Sequence, residues 1–136
     1  MPNENREDLA RYRLEHAQQC LAAANVLLTI QDYKGAANRS YYAVFHAMRS
    51  ILALDGLDFK KHSGVIAEFR KRYIKSGALS EQLSDTINEL FQVRTDSDYD
   101  DFYLISLDEV QEQMKSAALF VNEVKNYLKQ RMNVGL

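Results

Sequence analysis

Two side chains in this sequence are suited to chemistry together, Arg39 and His46 in the run RSYYAVFH. Seven residues make two helical turns, so on a helix both point the same way to within roughly 20°, about 10 Å apart along the axis. Tyr42 and Ala43 lie between them and Arg49 extends the face, whereas Tyr41, Phe45, Met48 and Leu52 form an apolar ridge pointing elsewhere, into a bundle. The expectation is a strip of Arg, Tyr, His and Arg open to a ligand or a second subunit. Such a strip suits phosphodiester cleavage in RNA. An imidazole moves protons near neutral pH, taking one from a 2′-hydroxyl or giving one to the leaving 5′-oxygen. A guanidinium holds phosphate through paired donors and stabilises the charge that builds in the transition state. The 2′-hydroxyl is an internal nucleophile, so neither metal nor cofactor is required.

Five segments with helical periodicity must position this strip. The first runs from about Arg6 to Gln31, with Asn5 as its expected cap and Leu9, Tyr12, Ala17, Cys20, Leu21, Ala24, Leu27 and Leu28 on one stripe. The second follows the cap Asp32 and ends near Leu54, where Asp55-Gly56 is a stop signal. A third, Ser63 to Ser76, turns Val65, Ile66, Phe69, Tyr73 and Ile74 inward and ends at Gly77. The fourth starts from Ser80 and carries Leu83, Ile87, Leu90 and Phe91; the fifth opens with Ser106 and Glu109 in capping-box spacing. The expected fold is all-α, an antiparallel up-down bundle of four to five helices, forming one domain over residues 1–136.

Composition agrees. A 136-residue chain with 46% hydrophobic residues can bury a real core. Five Gly and one Pro are too few for the turns of a β-rich fold. The polar start carries no secretory signal, and the longest uncharged stretch, Ala17 to Gln31, is too short to span a bilayer, so a soluble cytoplasmic protein with no membrane contact is expected. Cys20, the one cysteine, reads as a small buried hydrophobe. Net charge is −2, but Lys60 to Lys75 holds six Lys/Arg against one acid, and Asp96 to Asp101 holds four Asp. Asp96, Asp98 and Asp100 alternate as in a calcium loop but lack its Gly and closing Glu, which argues against calcium.

The run AANRSYYAVFHAMRSILAL resembles the signature helix of the HEPN family, whose hallmark is an Arg followed after four to six residues by a His; here six intervene. Tyr-x-x-Ala-x-Asn-Arg-x-Tyr-Tyr (Tyr33 to Tyr42), Lys61-His62-Ser63-Gly64, and Arg94 with Asp98-Tyr99 are similar to a small stand-alone prokaryotic branch. The resemblance implies a four- or five-helix bundle that dimerises through the Arg–His face, and a metal-independent ribonuclease. It implies a toxin paired with a minimal nucleotidyltransferase antitoxin. Arg39 would then bind phosphate and stabilise the transition state, and His46 would be the acid/base. Tyr42, Arg49, Arg94 and Ser40 would contact substrate. Two positions depart: Met48 stands where one branch has a Tyr that receives a silencing nucleotide, and Ser40 stands where many nucleases have Asn, Asp or His.

The remaining residues read more plainly. His62 is expected to be satisfied by backbone at a helix start, and His16 has nothing but Glu15 beside it. Arg94 and Asp96 to Tyr99 either border the cleft or clamp the loop between the fourth and fifth helices. No aromatic stacking platform is evident. The alternatives to a ribonuclease are a non-catalytic module that binds a nucleotide or nucleotidyltransferase, and a purely structural helical dimer.

Overall fold

The computed structural model describes residues 3–133, with side chains from residue 5 onward. Five α-helices account for most of them: α1 (Asn3–Thr29), α2 (Tyr33–Leu54), α3 (His62–Phe69), α4 (Gln82–Tyr99) and α5 (Leu107–Met132). Arg70–Ile74 continues α3 as a π-helical turn. The architecture is the expected all-α up-down bundle, with no strand among the described residues.

α2 is the central element and packs against α1, α3, α4 and α5. Small side chains make the closest of these packings possible. Ala10, Ala17, Ala24, Ala36, Ala43 and Ala47 are all essentially inaccessible, so the α1 and α2 backbones approach closely. The main core gathers Tyr41, Met48, Ile51 and Leu52 of α2 around Phe69, Leu90, Phe120, Val124 and Leu128. A smaller cluster of Ala24, Ala36, Ala37, Val93, Ile105 and Val110 closes the end where α1 turns into α2.

Helix ends follow local chemistry where the sequence supplies it. The Asp32 carboxylate accepts from Gly35 N–H at 2.9 Å and caps α2. A Cβ at Gly35 would collide with that carboxylate, so the glycine keeps the cap in place. Gly56 ends α2 in the left-handed region, at φ +74°. Ser106 Oγ accepts from Glu109 N–H at 3.1 Å and caps α5 as expected; the Glu109 carboxylate returns to the Ser106 hydroxyl at 3.1 Å, not to the backbone N–H of a full capping box.

Four expectations need correction. Asn5 does not cap α1, because the helix already includes Asn3. Ser80 does not cap α4, which starts at Gln82; Ser80 N–H and hydroxyl both donate to Glu123 of α5, at 2.8 and 2.9 Å. The Ser63–Ser76 helix widens midway into the π turn, closed by Lys75 N–H donating to Arg70 C=O at 2.8 Å. Tyr73 within this turn is buried, and its hydroxyl donates to Asp55 at the α2 C-terminus. Tyr12, placed on the buried stripe, is 67% exposed, and the position inside is Arg13, at 8%.

Asp55 also accepts two bonds from Arg131 of α5, at 2.7 and 3.2 Å, and so ties three elements together. Burial pushes its carboxyl up, but Arg131 and Tyr73 outweigh that and hold it below the usual carboxylate range. Asp55→Ala should cost about 1.5 kcal/mol at neutral pH, read by urea unfolding. Because the folded pKa is depressed, this contribution is present above the unfolded value near about 4 and is lost as pH falls through the folded one. The mutant and wild-type curves should therefore converge in acid.

Candidate functional site

From Asn38 to Ala53, α2 is buried except at five positions: Asn38, Arg39, Tyr42, His46 and Arg49. Their spacing traces one helical stripe, because α2 has neighbours on its other sides. The strip is half-buried rather than open. Ala43, which lies on it by spacing, is fully buried, and His46 faces α1 as well as solvent.

Tyr42 is the hub. Arg39 Cζ stands 5.1 Å from the centre of its ring and Arg94 Cζ 5.8 Å. The His46 and His62 rings are centred 6.1 and 6.0 Å from it. Arg94 and His62 thereby join the α2 stripe from α4 and α3. Arg94 also lies over Tyr41, 5.1 Å from its centroid, and pairs loosely with Asp98 one turn on, at 3.6 Å. Both partners belong to α4, so this pair does not clamp the α4–α5 loop.

The cations differ in what holds them. Arg39 donates to Asn38 Oδ1 at 2.9 and 3.3 Å, and no carboxylate among the described residues pairs with it. Arg49 is engaged with Asp58 at 3.3 Å, and Arg13 of α1 reaches the same carboxylate at 3.3 Å. Ser40 is fully buried with its hydroxyl donating to Ala36 C=O at 2.9 Å, out of reach of a ligand.

His46 stacks on His16, the rings 4.1 Å apart and 19° from parallel. Its Nδ1 is buried without a hydrogen-bond partner. Burial lowers its pKa to about 4, assisted by His16 and by Arg49, Arg39 and Arg13, so the imidazole is neutral. Cys20 completes the group: one donor atom each from His16, Cys20 and His46 lies within 4.8 Å of the others. Sequence reading passed over His16, although His16 and Cys20 at i and i+4 share one face of α1.

His62 is held by a side chain rather than backbone. Its Nδ1 is hydrogen-bonded to the Tyr41 hydroxyl at 2.9 Å, and its ring stacks on Phe45 at 4.0 Å. Burial lowers the His62 pKa and raises Tyr41 to about 12, so both stay neutral. Beside them opens a cleft of about 550 Å³ lined by Phe45, Arg49, Asp58, Phe59, Lys60 and His62. Its lining combines the rings of Phe45, Phe59 and His62 with the cations of Arg49 and Lys60. A slightly larger cleft, about 600 Å³, sits off the stripe between the π turn and α4, where Arg70, Lys71 and Lys75 are offset by Glu81 and Asp85.

The charge runs separate in space. Lys60 lines the cleft, whereas Arg70 is bound by Ser84 and Asn88, and Arg72 by Glu68. The acidic run does not assemble: Asp96 accepts from Gln92, Asp98 faces Arg94 and Asp100 accepts from Phe102 N–H.

The HEPN domain model matches residues 10–127. The chain belongs to the HEPN family. A UPF0332 protein of Thermotoga maritima is 30% identical over 123 residues, covering 90% of this chain and 93% of that protein. Two proteins of Methanocaldococcus jannaschii that bear the provisional name of toxin are similar too. One is 33% identical, covering 85% of this chain and 78% of its own length; the other is 31% identical, covering 86% and 87%. Arg39 and His46 both lie on the half-open stripe of α2. Met48 is fully buried in the core, so position 48 offers nothing to a modifying enzyme. No helix among the described residues is long and apolar enough to cross a membrane.

The depressed His46 pKa has a consequence for stability. The unfolded chain takes up this proton near about 6.5 and the folded chain only near about 4, so stability should fall as pH drops through that window. His62 is shifted in the same direction and adds to the fall. Comparing urea unfolding at about pH 7 and about pH 4.5, His46→Gln should lose less stability than wild type. An equal loss would show that His46 titrates normally in the folded protein.

Proposed function

We propose that this protein is a single-domain, metal-independent endoribonuclease, the toxin of a toxin–antitoxin pair whose other member is a minimal nucleotidyltransferase, acting in the cytoplasm as a homodimer. The observation that carries the reading is the gathering of Arg39, Arg94, His46 and His62 around Tyr42 on the one half-open stripe of α2. The provisional toxin names of two relatives support it.

In this reading Arg39, without a competing carboxylate, grips the scissile phosphate and Arg94 adds a second contact. The cleft beside His62 is of a size to take a base. His46, neutral before substrate arrives, removes the 2′-hydroxyl proton as the 2′-oxygen attacks phosphorus. The 5′-oxygen leaves with a proton from water, and a 2′,3′-cyclic phosphate remains. An imidazole at about 4 is a weak base, but three of the groups that depress it are guanidiniums. A bound phosphodiester offsets their charge and raises its basicity when it is needed.

Arg39→Ala and His46→Ala should each abolish RNA cleavage while leaving helical content unchanged, and cleavage by the wild type should persist in EDTA. Activity in either mutant would end the hypothesis. The acidic limb of kcat/KM should lie near about 4 to 5, because a base is lost when protonated, and that of kcat should lie higher.

Arg39 and His46 stand two turns apart on one helix, which favours a site shared across a twofold axis that pairs Arg39 of one protomer with His46 of its partner. Co-refolding Arg39→Ala with His46→Ala chains should then restore about a quarter of wild-type activity, since half the dimers are mixed and each has one intact site. Mixed dimers without recovery would exclude sharing.

A second reading has its own observation. Arg49 is paired with Asp58 and Ser40 is buried, which leaves fewer free contacts than a nuclease would use. A non-catalytic module that binds a nucleotide, or the nucleotidyltransferase, would need no more. Nucleotide binding without cleavage by the wild type would favour it.

A further inference from the structure

The group formed by His16, Cys20 and His46 has a chemistry that phosphodiester cleavage does not use. It is the one cluster of three or more His, Cys, Asp or Glu donors among the described residues whose donor atoms lie within 4.8 Å of one another. Two donors come from successive turns of α1 and the third from α2, which the buried alanines hold close by. Two imidazoles and a thiol are soft to borderline ligands, the set that takes Cu(I) or Zn(II) rather than magnesium or calcium. His46 Nδ1 is buried with no hydrogen-bond partner, so one donor is unspent.

We propose that His16, Cys20 and His46 form a site for one monovalent copper ion, Cu(I). Bonds of about 2.0 Å to nitrogen and about 2.3 Å to sulfur require donors roughly 3.5 Å apart, so the trio closes by about an ångström. The stacked rings lie nearly parallel, so one must turn about its Cβ–Cγ bond to aim a lone pair at the ion. His16, half-exposed on α1, has room to do so. Binding replaces the thiol proton of Cys20, which passes to solvent. Cu(I) with the resulting thiolate is neutral overall. A divalent ion with one thiolate would carry a net positive charge beside Arg13, Arg39 and Arg49, whose charges already act on His46. That repulsion selects the monovalent ion.

Resting on the ribonuclease reading, the consequence is regulation of the same site. A His46 bound to copper has no lone pair left for the 2′-hydroxyl proton, so the ion silences cleavage.

The test is an anaerobic titration of the reduced full-length protein with Cu(I) against a chromophoric Cu(I) chelator, with Zn(II) titrated in parallel. One equivalent of Cu(I) should bind, and Cys20→Ser and His16→Asn should each weaken it by about 100-fold or more. His62→Asn, outside the trio, should leave the affinity unchanged. His16→Asn alters a half-exposed position and keeps the test decisive if Cys20→Ser unfolds. No stoichiometric binding, or binding insensitive to both variants, would overturn the site. A preference for Zn(II) would overturn the choice of ion. In a parallel RNA-cleavage assay, one equivalent of Cu(I) should stop the wild type and spare Cys20→Ser. Inactive metal-free protein would sink the ribonuclease reading and leave the titration intact, whereas unchanged cleavage by copper-loaded protein would sink the regulation alone.

Discussion

Burial of α2 on nearly every side is the constraint from which the rest of the structure follows. Four other helices pack on it, and its side chains from Asn38 to Ala53 are inaccessible except along one stripe. A helix so placed has little freedom in register or rotation, because turning it would drive Tyr41, Met48 or Ile51 out of a close-packed core. The arginines and histidine on the open stripe are therefore held by the same packing that stabilises the fold. Preorganisation of this kind is what phosphate recognition and proton transfer require.

The stripe is also an electrostatic compromise. Arg13, Arg39, Arg49 and Arg94 crowd one side of the bundle, and among the described residues two of them share the single carboxylate of Asp58. Burial, assisted by the field of neighbouring arginines, keeps His46 and His62 neutral. An anion bound there would relieve that field and raise the basicity of His46.

The bundle ends show how local and tertiary chemistry divide the work. Asp32 with Gly35, and Ser106 with Glu109, close their helices with side chains three residues away, so their caps are written in adjacent sequence. Ser80 has the composition of a cap, yet its hydroxyl and N–H go to Glu123 from another helix. The π turn at Arg70–Ile74 is of the second kind: it places the Tyr73 hydroxyl on Asp55, which Arg131 then grips from the far end of the chain. The propensities of RKRYI alone favour an ordinary helix.

The sequence by itself determined the helices, the Tyr41–Phe45–Met48–Leu52 ridge and the Arg39–Tyr42–His46–Arg49 stripe, because each depends on the 3.6-residue period within one segment. It determined the family as well, since the Arg–His spacing is a local pattern. Tertiary structure decided what stands next to that stripe. His16 and Cys20 meet His46 only because α1 folds back along α2, and Arg94 and His62 reach Tyr42 only because α4 and α3 pack beside it. Whether Ser40 faced substrate or core depended likewise on the depth of packing, and whether Arg49 was free or paired on how the chain beyond α2 brings Asp58 back to it. Periodicity fixes the direction in which a side chain leaves its helix; the partner it finds there is set by how the helices pack.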